Sequence, residues 1–139
     1  MDGYVSSETI QYAEGFRIDH AEQFTRLTIL NPWSRSSSAV EPYETYYLYK
    51  NDSILPFLPN DGVKLKTPLT SLVVNTFSYF EFLDLLNESE TITGVTDGFR
   101  IYHPEILAKM EAGEIIDLGD PFQPDIERTM ALRPQAVVN

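Results

Sequence analysis

The chain has 139 residues, with 21 acidic side chains against 10 Lys and Arg and a formal net charge of −11. A surface of this sign repels a phosphate backbone, so we expect no nucleic-acid partner. The hydrophobic fraction of 42% argues against disorder, and the absence of cysteine excludes disulfides, thiolate nucleophiles and cysteine-based zinc sites.

The first half of the chain is predicted to form antiparallel β-structure. Residues 16–20 and 24–29 alternate apolar and polar side chains on either side of a polar turn at 21–23, which is the pattern of a hairpin. Residues 43–50 are rich in tyrosine, which suits a further strand. We therefore interpret residues 1–64 as a β-rich amino-terminal extension packed on the domain that follows.

From Thr70 onward, strand-like and helix-like segments alternate. Long connections separate the strand candidates, so these strands should be parallel neighbours rather than hairpins. This spacing predicts an α/β domain over residues 65–139, built as a parallel sheet with helices on both faces. The four predicted strands are residues 71–75, 90–95, 114–118 and 135–138.

The first helix of this domain is predicted to start near Ser78. Ser78 and Glu81 have the spacing of a capping box, in which each side chain bonds a free backbone N–H of the first turn. The side chains of Phe82, Leu83 and Leu86 should then face the core.

Two further helices have clear boundary signals. Pro104 suits the opening turn of the second helix and Gly113 its end. Asp125 can cap the third helix, and Pro134 stops it.

The carboxy-terminal block resembles a stretch of one family of receptors. Residues 125–138 read DIERTMALRPQAVV, which is similar to the N-(L/I)-E-x-(L/I)-x-A-L-K-P-D-L-V stretch of cluster A-II (class III) substrate-binding proteins. These are the periplasmic receptors of siderophore, haem and cobalamin ABC importers. Upstream of this block, residues 71–76, 92–95 and 102–105 occur in the same order as the corresponding segments of such proteins. The resemblance therefore covers residues 65–139.

The resemblance implies a Rossmann-like lobe of a class III binding protein and a function in binding, without catalysis. It implies the substrate-binding component of an ABC importer for an iron-siderophore, haem or cobalamin-type ligand, with no cofactor. The partners would be the transporter permease and an iron chelate, haem or corrinoid. The protein would be periplasmic, in contact with a membrane only through the permease or a lipid anchor. Because the sequence stops at an apolar strand, we expect one lobe of a larger receptor.

Glu127 is the candidate for docking to the permease. It lies in the first turn of the third helix, where the helix macrodipole stabilises an acid and where a purely structural role would suffice. The resembling family carries a glutamate at the matching position, which docks onto arginines of the permease. Asp125 stands where that family has asparagine, which keeps the cap and adds a charge.

The ligand candidates follow the predicted parallel strands, whose carboxyl ends are the usual binding edge of such sheets. Aromatic rings beside a guanidinium suit a flat or chelated anionic ligand, although some of these rings are equally explained as core residues. The short polar residues among them, beside a helix amino terminus, would also receive an anion. The candidates are Asn75, Thr76, Phe77, Ser78, Tyr79, Phe99, Arg100, Tyr102 and Phe122.

Other readings of the sequence remain open. Only two histidines are present, so a direct metal site is not expected, and His103 suits a helix cap or a surface position better than haem ligation. No catalytic constellation is recognisable. The alternative functions are a small flavodoxin-like enzyme or regulatory domain, and a surface-interaction module that uses the tyrosine-rich hairpins.

Overall fold

The structure, a computed structural model, describes residues 3–33 and 41–139. The chain divides into two compact units, Met1–Pro68 and Leu69–Asn139. The boundary follows Pro68 rather than Lys64, because Val63–Lys66 is a strand of the first unit's sheet.

The first unit is built around a five-stranded sheet in which the strands lie side by side in chain order. The first three pairings are antiparallel, and the last, between β4 and β5, is parallel. The predicted hairpin is confirmed, with Phe16 opposite Ile29 and His20 opposite Thr25. The outer strands β1 and β5 were not predicted. The strands are β1 (Tyr4–Ser7), β2 (Phe16–Ala21), β3 (Phe24–Leu30), β4 (Pro42–Tyr49) and β5 (Val63–Lys66).

The core of the first unit is aromatic. Tyr47 and Tyr49 of β4 are buried together with Leu58, which follows a 3-10 helix over Asp52–Phe57. The ring of Phe24 packs edge to face on Tyr47, with the two centroids 5.8 Å apart. Tyr47 Oη donates a 2.7 Å hydrogen bond to Asp61, so the buried hydroxyl is satisfied.

Polar side chains of this sheet are paired with one another. Asp19 accepts a 2.6 Å hydrogen bond from Ser7 Oγ and forms an ion pair with Arg26 at 2.8 Å. These bonds, first the one from Ser7 and then the one from Arg26, lower the pKa of Asp19. His20 lies between Glu8 and a threonine hydroxyl, with 2.7 Å from Nε2 to the Glu8 carboxylate.

The second unit contains a four-stranded parallel sheet in the order β11-β6-β7-β8. A short antiparallel pair, β9 and β10, lies outside it. All four strands predicted after Thr70 are present in this sheet, and Val73 of β6 lies opposite Val137 of β11. The strands are β6 (Leu72–Val74), β7 (Ile92–Val95), β8 (Ile116–Asp117), β9 (Gly119–Asp120), β10 (Gln123–Pro124) and β11 (Ala136–Val138), and the helices are α1 (Phe80–Leu85), α2 (Pro104–Glu111) and α3 (Ile126–Leu132).

The predicted fold class is nevertheless wrong. The larger sheet is the mixed, mostly antiparallel one, with strands of up to eight residues. The parallel sheet is small, because its strands have two to four residues, and the three helices have six, eight and seven. The protein is therefore not a Rossmann-like parallel sheet with helices on both faces. The segment interpreted as an extension carries the main sheet of the molecule.

The boundary signals of α2 are confirmed. Pro104 is its first residue, where the missing N–H costs nothing. Gly113 follows its carboxyl end with φ of +75°, a conformation that glycine adopts without strain, and donates its N–H to the Met110 carbonyl at 3.1 Å. Ile106 on the inner side of α2 joins the buried cluster around β6 and β7.

The capping box predicted for the first helix is absent. Ser78 lies within a 3-10 turn over Phe77–Tyr79, and α1 begins only at Phe80. Because the helix starts later than predicted, its inward side is different: Phe80 is buried and Leu83 packs on the core. Phe82, predicted to face inward, is 62% exposed, and Leu86 is exposed as well.

The helix α3 is capped and positioned as its sequence indicates. The Asp125 carboxylate accepts a 3.0 Å hydrogen bond from the Arg128 N–H, and the helix ends one residue before Arg133, whose φ is +47°. Leu132 packs closely on β7 because Gly94 has no side chain. A Cβ at Gly94 would lie 2.9 Å from Leu132 Cδ1 and 3.0 Å from Val73 Cγ2.

Candidate ligand cavity

A cavity of about 580 Å³ lies in the second unit, between the segments that follow β6 and β7. Since these strands are parallel neighbours, the segments after them leave the sheet at the same edge. Thr96 Oγ1 donates a 2.9 Å hydrogen bond to the Asn75 carbonyl, which ties the two strand ends together. The cavity is lined by Phe77, Phe80, Glu81, Arg100, Ile101, Tyr102, His103 and Pro104.

The loop between β7 and α2 is fixed at several points. Asp97 has φ of +52° and starts a tight 3-10 turn over Gly98–Arg100. Ile101 is buried in the core, and Pro104 begins α2. Because Ile101 anchors the middle of the loop, the side chains on either side of it are turned toward the cavity and the solvent. Tyr102 is 85% exposed.

The floor of the cavity is apolar, and its rim carries charges of both signs. Phe80 and Ile101 are nearly fully buried. Within the described residues, the one acidic partner of Arg100 is Asp97, at a long 3.7 Å between Nη1 and Oδ2, and the Arg100 guanidinium carbon lies 5.3 Å from the centre of the Phe99 ring. The carboxylate of Glu81 is exposed and has no hydrogen-bond or ion-pair partner within residues 3–33 and 41–139.

His103 belongs to the wall of this cavity. It occupies the position before α2, but its side chain makes no capping hydrogen bond, so the expected capping role is not observed. Its Nδ1 atom is buried and has no partner among the residues that the structure describes. An unsatisfied buried nitrogen typically costs about 1–3 kcal/mol, which rarely persists without a reason.

A second cavity, of about 400 Å³, shares Arg100 with the first. It combines two exposed aromatic rings, Phe99 and Phe122, with three aspartates. The Asp117 carboxylate accepts a 2.9 Å hydrogen bond from the Gly119 N–H, and Asp120 caps the Phe122 N–H at 2.7 Å. Its lining residues are Asp97, Gly98, Phe99, Arg100, Asp117, Gly119, Asp120, Pro121 and Phe122.

Five of the nine predicted ligand residues thus line these two cavities. Phe77 and Tyr102 line the first, Phe99 and Phe122 the second, and Arg100 both.

The other four line neither cavity. Asn75 Nδ2 donates to Asn139 Oδ1, and Tyr79 Oη donates to the Asn139 carbonyl at 3.1 Å. Thr76 precedes the 3-10 turn in which Ser78 is exposed. These four residues are therefore part of the local structure at the end of β6 rather than of a cavity wall.

Five residues of the first cavity's wall were not predicted as ligand residues. Phe80 and Ile101 are apolar neighbours of predicted residues and carry no signal of their own, and Pro104 was assigned to the start of the second helix. Glu81 was assigned to a capping box, and His103 to a cap. The one usable signal was adjacency, since each of the five is next to a predicted residue or one position removed from one.

Glu127 is exposed at the second position of α3. The neighbouring acid, Asp125, is engaged by the Arg128 N–H and lies 3.4 Å from Arg128 Nε. In contrast, the carboxylate of Glu127 has no polar partner in the part of the chain that the structure describes.

Neither family models, nor curated proteins, nor solved structures gave a match to this chain. Among the described residues, no group of three or more His, Asp or Glu side chains could hold a metal ion. Within the same residues, no helix has the length and apolar character needed to cross a membrane.

Proposed function

We propose that this chain is the substrate-binding component of an ABC importer and that it takes an iron-siderophore, haem or cobalamin-type ligand. The observation that carries the proposal is the cavity between the segments after β6 and β7. Its volume of about 580 Å³ suits a small molecule, since such sites usually measure ~300–1,000 Å³. The resemblance of residues 125–138 to class III receptors supports the proposal that the protein delivers its ligand to an ABC importer.

The chemistry of the wall suits binding of a large, partly flat molecule. Phe77 and Tyr102 present exposed ring faces for stacking, and Phe80 and Ile101 provide an apolar floor. Arg100 is held only loosely by Asp97, so its guanidinium can form charge-assisted hydrogen bonds with an acidic group of the ligand. The protein binds and releases the ligand without changing it.

Delivery of the ligand requires a second surface. In this proposal the periplasmic protein docks on the permease through Glu127, whose exposed carboxylate would pair with a permease arginine. Contact with the membrane is made through the permease or a lipid anchor. Docking and ligand binding use different side chains, so each can be removed separately.

Calorimetric titration of haemin, cyanocobalamin and a ferric catecholate siderophore tests the binding step. We expect one of them to bind, and Arg100→Gln to weaken its binding about ten- to a hundredfold, because a hydrogen bond to a charged group is worth roughly 1.5–3 kcal/mol. Trp33→Ala is the matched control, since Trp33 is an exposed aromatic residue of the first unit. The proposal fails if none of the three binds, or if Trp33→Ala weakens binding as much as Arg100→Gln.

Transport by the cognate importer reconstituted in liposomes tests the docking step. Glu127→Ala should reduce transport and leave the ligand affinity unchanged. Glu111→Ala removes another exposed acid, at the end of α2, and should leave both unchanged. Full transport by Glu127→Ala would exclude this residue from docking.

A further inference from the structure

Two charges of opposite sign line the same cavity without pairing with each other. Glu81 projects from α1 and Arg100 from the loop after β7, and both contribute to the wall. No ion pair joins them, so their charged atoms are more than 4.0 Å apart. Glu81 has no polar partner among the described residues, and Arg100 has only the 3.7 Å contact to Asp97.

This arrangement opposes a ligand with negative charge alone. Such a ligand would gain from Arg100 but would bring its own charge close to the Glu81 carboxylate, which destabilises the complex. The rest of the protein adds to the penalty, because its formal net charge is −11. A ligand that carries only positive charge would gain from Glu81 but would be repelled by the Arg100 guanidinium.

We propose that the ligand of this cavity is amphoteric: it carries an acidic group for Arg100 and an ammonium group for Glu81, joined by an apolar body. This inference rests on the proposed function and narrows its ligand class. Among iron chelates and corrinoids, it selects those with a cationic group beside an acidic group. It adds a cationic group to the flat or chelated anionic ligand expected from the sequence.

The geometry of the cavity accounts for the apolar body as well. Phe80 and Ile101, one from each segment, are buried and form the apolar floor, and each is next in sequence to one of the two charged residues. A ring or hydrocarbon resting on this floor leaves its two ends free to reach Glu81 and Arg100.

A matched series of small probes tests the proposal. L-phenylalanine carries both charges, 3-phenylpropionate only the negative one and 2-phenylethylammonium only the positive one, on the same aromatic body. Amide chemical shifts of ¹⁵N-labelled protein, followed during each titration, give both the affinity and the location. We expect phenylalanine to bind tightest, by roughly two- to fivefold for each added charge contact, because exposed ion pairs are weak.

Two variants test whether Glu81 and Arg100 cause the preference for phenylalanine. Glu81→Gln should remove the advantage of phenylalanine over phenylpropionate, and Arg100→Gln its advantage over phenylethylammonium. Glu111→Gln is the control, since this exposed acid does not line the cavity. In the control, all three affinities should equal those of the unmodified protein.

The outcomes separate this inference from the function on which it rests. If phenylpropionate binds in the cavity as tightly as phenylalanine and Glu81→Gln changes nothing, the cavity is a ligand site but the amphoteric ligand is refuted. If no probe shifts the amides of residues 77–81 and 98–104, the inference and the proposed cavity site both fail.

Discussion

The two units of this protein differ in how completely their buried polar side chains are hydrogen-bonded. In the first unit the buried hydroxyl of Tyr47 is bonded to Asp61, and Asp19 is held by Ser7 and Arg26. In the second unit the His103 Nδ1 and Asn75 Oδ1 atoms are buried without partners among the described residues. The second unit also contains bonded polar groups, such as Ser71 with Thr93, but both buried polar atoms without a partner among the described residues belong to it.

Exposed apolar side chains occur in both units, Tyr12 and Phe57 in the first among them, but those of the second unit include walls of the two cavities. The first unit pairs its exposed Trp33 with Tyr43, 5.3 Å between ring centres. The second unit exposes Phe99 and Tyr102 at its cavities. Charged groups without a partner and exposed aromatic rings at one edge of a sheet are features of a ligand-binding site in its empty state, because both can contact a ligand. This contrast is the reason why we propose that the second unit binds the ligand.

Removing the central ring of the first unit should have the largest effect. Tyr47→Ala empties a fully buried site and should lower the free energy of unfolding by about 3–5 kcal/mol, as large aromatic truncations do. Urea unfolding followed by the fluorescence of Trp33, the single tryptophan, measures this change in the first unit. Tyr12→Ala, at a fully exposed position, should change the value by less than about 0.5 kcal/mol. Equal effects of the two substitutions would contradict the proposed core.

Filling the space at Gly94 should destabilise the second unit. A methyl group there would press on Leu132 and Val73, and overpacking of this kind costs about 1–3 kcal/mol. Chemical unfolding followed by circular dichroism of Gly94→Ala measures the cost. Gly15→Ala meets no atom within 4 Å and serves as the control. A stability of Gly94→Ala equal to the control would show that α3 does not pack closely on β7.

Breaking the ion pair of the first sheet should have a smaller effect that depends on pH. Asp19→Asn should cost about 1–2 kcal/mol at pH 7, discounted because Arg26 is partly exposed. Since the folded state lowers the pKa of Asp19 below 3.8, the stabilisation is present above that pH and is lost as the pH falls through the folded pKa. Unfolding curves from pH 7 to 2 should therefore converge for the two proteins. A constant difference across this range would refute the assignment.

The hydroxyl of Tyr47 should have the smallest effect at neutral pH. Tyr47→Phe removes one hydrogen bond and should cost about 0.5–1.5 kcal/mol. Burial first, and then Asp61, raises the pKa of Tyr47 from 10.0 to about 12. The unfolded state therefore loses its proton first, and the unmodified protein should lose stability as the pH rises above 10. Tyr47→Phe should lack this component, and an identical alkaline profile for both proteins would contradict it.

Local elements were predictable where a short signal dictates them. The hairpin at 16–29 follows from alternation about a polar turn, and Pro104, Gly113 and Asp125 mark helix boundaries through their backbone chemistry. The fold class was not predictable in this way, because sheet size depends on how many strands pair and over what length. Nothing in residues 63–66 shows that this segment pairs in parallel with β4.

The cavity shows the same limit. Aromatic residues after parallel strands were found from their position, but the start of α1 at Phe80 depends on packing that the capping signal at Ser78 does not reveal. Glu81 and His103 were consequently assigned to caps and left out of the cavity. When a residue has a plausible local role, such as a helix cap, the sequence does not show whether it also contributes to a cavity wall. The three-dimensional contacts are needed to distinguish these roles.

Amide hydrogen exchange with and without ligand tests the central claim most directly. The ligand is whichever of haemin, cyanocobalamin and the ferric catecholate binds most tightly. We predict that saturation slows exchange at residues 77–81 and 98–104, because these segments form the cavity wall, and leaves the first unit's sheet unchanged. Slowed exchange confined to the sheet of the first unit would contradict the assignment of binding to the second.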